Sequence, residues 1–180
     1  MKNLIKNHPL SLFRFCPVCG SPHFEVNNVK SKRCADCDFV YYLNPSAATA
    51  AFIENEKGEL LVCRRAKEPV KGTLDLPGGF TDMDETSAET IAREIKEELN
   101  LVVTHSEILF SLPNWYLYSG LNEPTLDFFF RCRVADLLCL KAADDVAEAF
   151  FIKREELNPE EFGLSSIRKA VGIYKGANLP

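Results

Sequence analysis

Two groups of side chains in this 180-residue chain have the types and spacing to do chemistry. The first is Cys16-Pro-Val-Cys19-Gly20 followed, with fourteen residues between the pairs, by Cys34-Ala-Asp-Cys37. A Cys-x-x-Cys on a tight turn aims two thiolates at one point. Two such turns complete a tetrahedral S4 site, the donor set that suits Zn2+. Gly20 lets the chain leave the first turn with positive φ. Disulfides or redox pairs are the alternatives, and both need an oxidising compartment or a redox role. The N-terminus carries Lys2 and Lys6 but no apolar stretch and small-residue cleavage site before Cys16, so it does not read as a secretion signal. His23 is a further candidate ligand, although with four cysteines available it reads as a strand residue. Cys63, Cys132 and Cys139 lie in apolar, strand-like stretches and read as small core residues.

The second group is Glu94, Glu97 and Glu98. On a helix over 87–99 they share one arc about 100° wide, apart from the apolar arc of Ala88, Ile91, Ala92, Ile95 and Leu99. Like charges at i, i+3 and i, i+4 destabilise a helix by a few tenths of a kcal/mol each. Glu97 and Glu98 also approach the negative end of the helix dipole. A divalent cation held by hard oxygens, Mg2+ or Mn2+, relieves that repulsion. A solvated acidic face accounts for these three acids equally well.

The elements that must position these groups are legible at coarse grain. Thr86 as N-cap with Glu89 at N3 forms a capping box, and Asn100 suits the left-handed residue that ends a helix. Upstream, Leu76-Pro77-Gly78-Gly79 is a loop permitting close backbone approach. Strands are expected at 47–53 and 59–65 around a hairpin signal at 54–58, then at 102–112, 115–119, 126–134 and 146–152, with a closing helix at 164–175. This order argues for an α/β protein with a mixed sheet between helices. Short strands at 23–26 and 39–42 follow the cysteine turns and make a ribbon whose metal supplies much of its stability. Lys30, Lys32 and Arg33 fall on the loop between and read as solvated surface. Asn44-Pro45 marks a boundary, dividing the chain into 1–44 and 45–180.

Composition narrows the classes. With 46% apolar and 26% charged residues and a net charge of −5, the chain reads as globular and is not expected to bind bulk nucleic acid or anionic membrane. Residues 1–44 carry six Lys/Arg against three acids, and the remainder fifteen against twenty-three, so the acidic part needs a reason. No apolar run approaches the roughly 20 residues of a membrane helix, and a cytoplasmic location is the default expectation.

Taken together, Gly79, Glu85 and Arg93-Glu94-Ile95-Lys96-Glu97-Glu98-Leu99-Asn100-Leu101 resemble the Nudix box, G-x5-E-x7-R-E-U-x-E-E-x-G-U, with Asn100 in place of the second glycine. The resemblance implies an α/β/α Nudix fold behind the ribbon. It also implies a hydrolase that cleaves nucleoside diphosphates linked to another moiety with Mg2+ or Mn2+. Glu94 and Glu98 would be principal metal ligands, with Glu97 a ligand or a partner of the metal's hydration water. A carbonyl of Gly78 or Gly79 would join them, and Arg93 would pair with Glu85 to orient the carboxylates. Asp144-Asp145-Val146-Ala147-Glu148-Ala149 resembles the segment that supplies an extra glutamate in zinc-ribbon members, which points to Glu148.

A four-cysteine ribbon before a Nudix domain resembles the NADH pyrophosphatase group. That group's S-Q-P-W-P-F-P-x-S segment is matched here only by Ser111, Pro113 and Ser119, with Tyr116 replacing the phenylalanine. Trp115, Tyr116 and Phe80 are candidates to stack on a base or nicotinamide, and Arg64 or Arg65 to meet a phosphate. The expected substrate is a small-molecule nucleotide, an NADH-like dinucleotide or an ADP-ribose-like ADP-sugar, and a homodimer is expected by analogy only. The alternative is a Nudix domain acting as a ligand sensor whose ribbon contacts nucleic acid or a partner protein.

Overall fold

A computed structural model describes residues 8–176. Lys2 and Lys6, which entered the reading of the N-terminus, lie outside the described residues. The chain divides into two compact units, Met1–Pro45 with Leu117–Pro124, and Ser46–Tyr116 with Thr125–Pro180.

In the first unit, β1 (Phe24–Asn28), β2 (Ser31–Cys34) and β3 (Val40–Tyr42) form an antiparallel sheet in that order. The stretch expected to be a basic loop is therefore mostly strand. Lys32 is buried on β2, where its Nζ donates to the Phe13 carbonyl and lies 5.1 Å from the centre of the Phe24 ring. A lysine can do this because its long stem packs while its head finds a backbone acceptor. Phe24 and the sulfurs of Cys16 and Cys34 form a small core flanked by Phe13, Phe39 and Tyr41.

The second unit is a sandwich whose logic is the period of two along its central strands. Strands β4 (Ser46–Phe52) and β5 (Leu60–Arg65) send alternate residues to opposite sides. Ala50, Phe52, Leu60 and Val62 face one cluster with Ile167, Val171 and Tyr174 of helix α2 (Ser165–Gly176). Ala51, Ile53, Leu61 and Cys63 face another with Ile91, Ile95 and Leu99 of helix α1 (Ser87–Leu99). Strands covered on both faces read as continuous apolar runs, which is how 47–53 and 59–65 appear in the sequence.

The pairing differs from the expected hairpin. β4 runs parallel to β8 (Leu121–Val134), and β8 neighbours β7 (Val103–Tyr118). β5 lies between β6 (Leu74–Asp75) and β9 (Val146–Ile152) in a separate antiparallel sheet. The 54–58 turn exists, but it joins strands of two sheets, which meet near the turn through a bridge between Glu54 and Leu60 and through backbone bonds from Leu61 N–H to the Ile53 carbonyl and from Asn55 N–H to the Glu59 carbonyl. The two strands expected at 102–112 and 115–119 are one. Pro113 sits within it and is tolerated because β7 ends its sheet, leaving one row of backbone groups without ladder partners.

Helix α1 begins and ends as its sequence indicates. Thr86 and Glu89 make the reciprocal capping box, and Asn100 closes the helix at φ 57°. Ile91, Ile95 and Leu99 are buried, whereas Ala88, expected on the same apolar arc, is exposed. Cys132 is a core residue as expected. Cys139 is not: it lies exposed after β8, where its carbonyl accepts from Asn100 Nδ2 at 3.2 Å. No helix among the described residues is long and apolar enough to cross a membrane.

Candidate active site and a four-cysteine metal site

The Leu76–Gly79 loop runs along the free edge of β4. Ala51 N–H donates to the Pro77 carbonyl at 2.9 Å, Thr49 N–H to Gly79 at 2.8 Å, and Thr81 N–H returns to Ala47 at 3.0 Å. A side chain at either glycine would collide with a neighbour on this route. Gly78 has φ 145°, and a Cβ there would lie 2.2 Å from the Thr49 carbonyl oxygen. A Cβ on Gly79 would lie 2.5 Å from Glu94 Oε1. The loop is thereby pressed onto the acidic face of α1, and Gly78 N–H donates to Glu98 Oε2 at 3.0 Å.

The carboxylates converge around Arg93. Its Nε and Nη2 hold Glu85 in a two-pronged pair at 2.8 and 3.0 Å, its Nη1 reaches Glu94 at 2.8 Å and Glu97 at 3.1 Å, and Nη2 also donates to the Phe80 carbonyl. Such a fork fixes orientation as well as charge. The Arg93 guanidinium holds the Glu85 carboxyl down to about 2. Glu98 is only 8% exposed. Burial pushes its carboxyl up to about 8 against the Gly78 N–H that favours the ionised form, and the charges of Glu94 and Asp75 add to the rise. Burial likewise raises Glu94, despite Arg93. Buried carboxyls in this condition call for a proton or a cation.

Of these groups Arg93, Glu94, Glu97 and Glu98 line a cavity of about 360 Å³, together with Arg65, Phe80 and Tyr116, whereas Glu85 is not in its wall and acts on it through Arg93. Arg65 is held by Asp75 at 2.6 Å, by the Pro69 carbonyl at 2.9 Å and by the Tyr116 hydroxyl at 3.1 Å, where Nη2 donates. Phe80 and Tyr116 meet edge to face, 5.3 Å between centres.

Three of the residues singled out in the sequence lie elsewhere. Trp115 is 61% exposed and does not line the cavity, because Asn114 and Tyr116 point inward and the strand alternates. Arg64 and Glu148 are opposite each other on β5 and β9 and pair with each other at 3.2 Å, with Arg64 Nη1 donating to the Gly72 carbonyl. Neither Arg64 nor Glu148 is part of the cavity wall.

Acids from outside the box also line the cavity, Asp75 and Asp127 on strands and Asp144 and Asp145 on the turn before β9. Ala143 N–H donates to the Glu98 carbonyl at 2.8 Å, and Ala66 N–H to the Asp145 carbonyl at 2.8 Å. These bonds pin the turn before β9 against the end of α1. Lys67 pairs with both aspartates. The signal available in the sequence was position: Asp144 and Asp145 precede the strand, whereas Glu148 lies inside it and must obey its alternation.

In the ribbon unit, the Sγ atoms of Cys16, Cys19, Cys34 and Cys37 all lie within 4.8 Å of one another, with Cys16–Cys37 and Cys19–Cys34 each at 3.6 Å. These separations are far beyond the S–S bond length of about 2.05 Å. They fit the edge of a tetrahedron with Zn–S of about 2.3 Å, about 3.8 Å. Burial pushes the Cys34 thiol up, but the N–H groups of Cys37 and Asp36 outweigh it and bring it down to about 7. Gly20 has φ 75°, as the turn requires. His23 is outside the cluster and pairs with Asp36 at 3.3 Å.

Comparison with known proteins agrees with this geometry. A family profile described as the NUDIX domain matches residues 44–170. The chain is 33% identical over 132 residues to an ADP-ribose pyrophosphatase of Methanocaldococcus jannaschii, covering 71% of this chain and 73% of that one. It is 22% identical over 166 residues to an NAD-capped RNA hydrolase NudC of Pseudomonas entomophila, covering 92% of this chain but only 57% of that protein. A NUDIX hydrolase structure from Nitrosomonas europaea has the same fold, with a TM-score of 0.67, 22% identity and 92% of each chain covered. With Gly79, Arg93, Glu94, Glu97 and Glu98 on one cleft and the profile covering most of its length, this chain belongs to the Nudix hydrolase family.

Proposed function

We propose that the chain is a divalent-metal-dependent pyrophosphohydrolase that cleaves the diphosphate of an ADP-ribose-like ADP-sugar or an NADH-like dinucleotide, with Zn2+ holding the ribbon. That it hydrolyses a nucleotide derivative follows from its family; metal and substrate are our reading. The observation that carries it is the convergence of buried Glu98, Glu94 and the Asp144–Asp145 turn on one cleft beneath the Gly78–Gly79 loop. The donor set is all hard oxygen, which fits Mg2+ or Mn2+, and the raised Glu98 carboxyl is a group that a dication would stabilise in its ionised form.

Glu94, Glu98 and Asp145 would hold the metal, with Glu97 at the exposed rim. When bound, it neutralises diphosphate charge and lowers the pKa of an attacking water. The protein's own residues do the rest. Gly78 N–H and Arg93 orient Glu98 and Glu94, and Lys67 holds Asp145 at the cavity wall. Arg65 faces the cavity as a cation for a phosphate oxygen, and Phe80 and Tyr116 offer ring faces. The relative at 33% identity is named as an ADP-ribose pyrophosphatase, which favours the ADP-sugar within this class.

The test is product release from ADP-ribose, NADH, NAD+, an NAD-capped RNA and the nucleoside triphosphates, with Mg2+ and then Mn2+, for wild type and Glu98→Gln. Partners of metal ligands cost roughly 10–100-fold when lost, so loss of a ligand is expected to exceed about 100-fold. Wild-type turnover in Glu98→Gln overturns the mechanism, and preferred turnover of a triphosphate overturns the substrate class.

A further inference from the structure

The wall of the same cavity carries polar groups that the hydrolytic step does not use. Asn114 of β7 and Asp127 of β8 both line it, at 5% and 6% exposure. Asn114 Oδ1 accepts from the Ser165 hydroxyl at 2.8 Å. Its amide nitrogen donates to no protein group among the described residues. Asp127 accepts from the Thr125 hydroxyl on Oδ1 and the Ser166 hydroxyl on Oδ2, each at 2.5 Å. A carboxylate oxygen has room for a second donor, so the pair presents an amide donor and a charged acceptor to one space. Phe80 and Tyr116 line the same cavity with ring surface, and Leu164 and Ile167 with aliphatic surface. The bonds to Thr125 and Ser166 by themselves suit a carboxylate steadying the start of α2. They leave unexplained the open amide of Asn114 and the placement of both groups on a cavity wall, where polar groups are costly unless satisfied.

We infer that this part of the cavity wall reads the edge of a planar nitrogen heterocycle that shows an NH2 group beside an acceptor, the NH2 donating to Asp127 and the acceptor receiving the Asn114 amide. The identity of the ring rests on the hydrolytic reading above for the remainder of the substrate, since the adenine amino edge and the nicotinamide carboxamide both have this pattern. A recognition element of this kind is independent of the box residues and makes Asp127 and Asn114 specificity-determining residues.

Calorimetric binding to the full chain tests it with two matched pairs. AMP is compared with IMP, in which the amino group is replaced by a carbonyl oxygen. Nicotinamide mononucleotide is compared with its 3-acetylpyridine counterpart, in which the amide NH2 is replaced by methyl. A hydrogen bond to a charged group predicts that one pair differs by about 10–100-fold in affinity, and the pair that does so names the ring. In Asp127→Asn the same ratio is expected to fall to within about threefold, because the amide donates as well as accepts. Equal binding within about threefold for both pairs in wild type overturns the inference, as does no binding of any of the four. These wild-type ratios decide the matter should Asp127→Asn fail to fold. A preserved binding preference in a protein that hydrolyses nothing would sink the catalytic reading and leave this one standing.

Discussion

Replacing Arg65 by Met probes how the floor of the cleft is held together. Arg65 and Asp75 are both nearly buried and paired at 2.6 Å, and Arg65 makes two further hydrogen bonds, to the Pro69 carbonyl and the Tyr116 hydroxyl. Burial already pushes the Asp75 carboxyl up, against the pull of Arg65. Methionine keeps most of the stem's packing but strands an ionised carboxylate, which costs about 3–5 kcal/mol in buried pairs. In a protein of this size that corresponds to a fall in melting temperature of roughly 10 °C.

The loss depends on pH with a definite sign. Without its cation, Asp75 has a folded-state pKa further above its unfolded value. The variant then approaches wild-type stability below the unfolded value and loses it as pH rises through the folded one. Urea unfolding followed by fluorescence of Trp115, the single tryptophan, reads the difference at pH 4.5 and pH 8. Adding Asp75→Leu should recover most of the stability, because removing both partners of a buried pair is far less costly than removing one. A loss below about 1 kcal/mol at pH 8, or no recovery in the double variant, refutes the reasoning.

The two adjacent glycines should separate cleanly. The three atoms nearest a Cβ on Gly79 all belong to the Glu94 carboxyl group rather than to backbone, so Gly79→Ala should fold and lose hydrolysis as the carboxylate is displaced. Gly78→Ala meets backbone at 2.2 Å with positive φ and should fail to fold or melt well below wild type. Circular dichroism melts with activity assays distinguish the two, and an active Gly79→Ala contradicts the contact. Cys34→Ser should reduce bound zinc, measured by elemental analysis, and expose the ribbon to proteolysis while residues 46–116 stay protected; unchanged zinc content rules out the four-sulfur site. Thr86→Ala removes one half of the capping box and should cost about 1 kcal/mol in unfolding experiments without changing the preferred substrate.

Much of the site was legible because its parts are local. The capping box, the left-handed Asn100 and the acidic arc of α1 depend on residues within four positions of one another, and each is present as its spacing implied. The four cysteines converge because each pair sits on its own turn. The Gly78–Gly79 requirement was visible as composition, though its cause, the Thr49 carbonyl on one side and the Glu94 carboxylate on the other, was not. Trp115 and Glu148 were misplaced for a shared reason: each is one residue out of phase with the strand face that reaches the cleft. A short apolar run does not reveal which of its two faces is covered.

The sequence by itself determined the family, the metal-binding vocabulary and the ends of α1, all written in short-range spacing and in side-chain chemistry that no fold can alter. Only the tertiary structure decided that β4 pairs with β8 rather than with β5. It alone placed Asp144 and Asp145 beside Glu98, locked Arg65 to Asp75, and brought Asn114 and Asp127 from two strands to one cavity. Those outcomes depend on sheet order and on which side of a pleated strand is buried, and both are settled by packing between segments far apart in the chain.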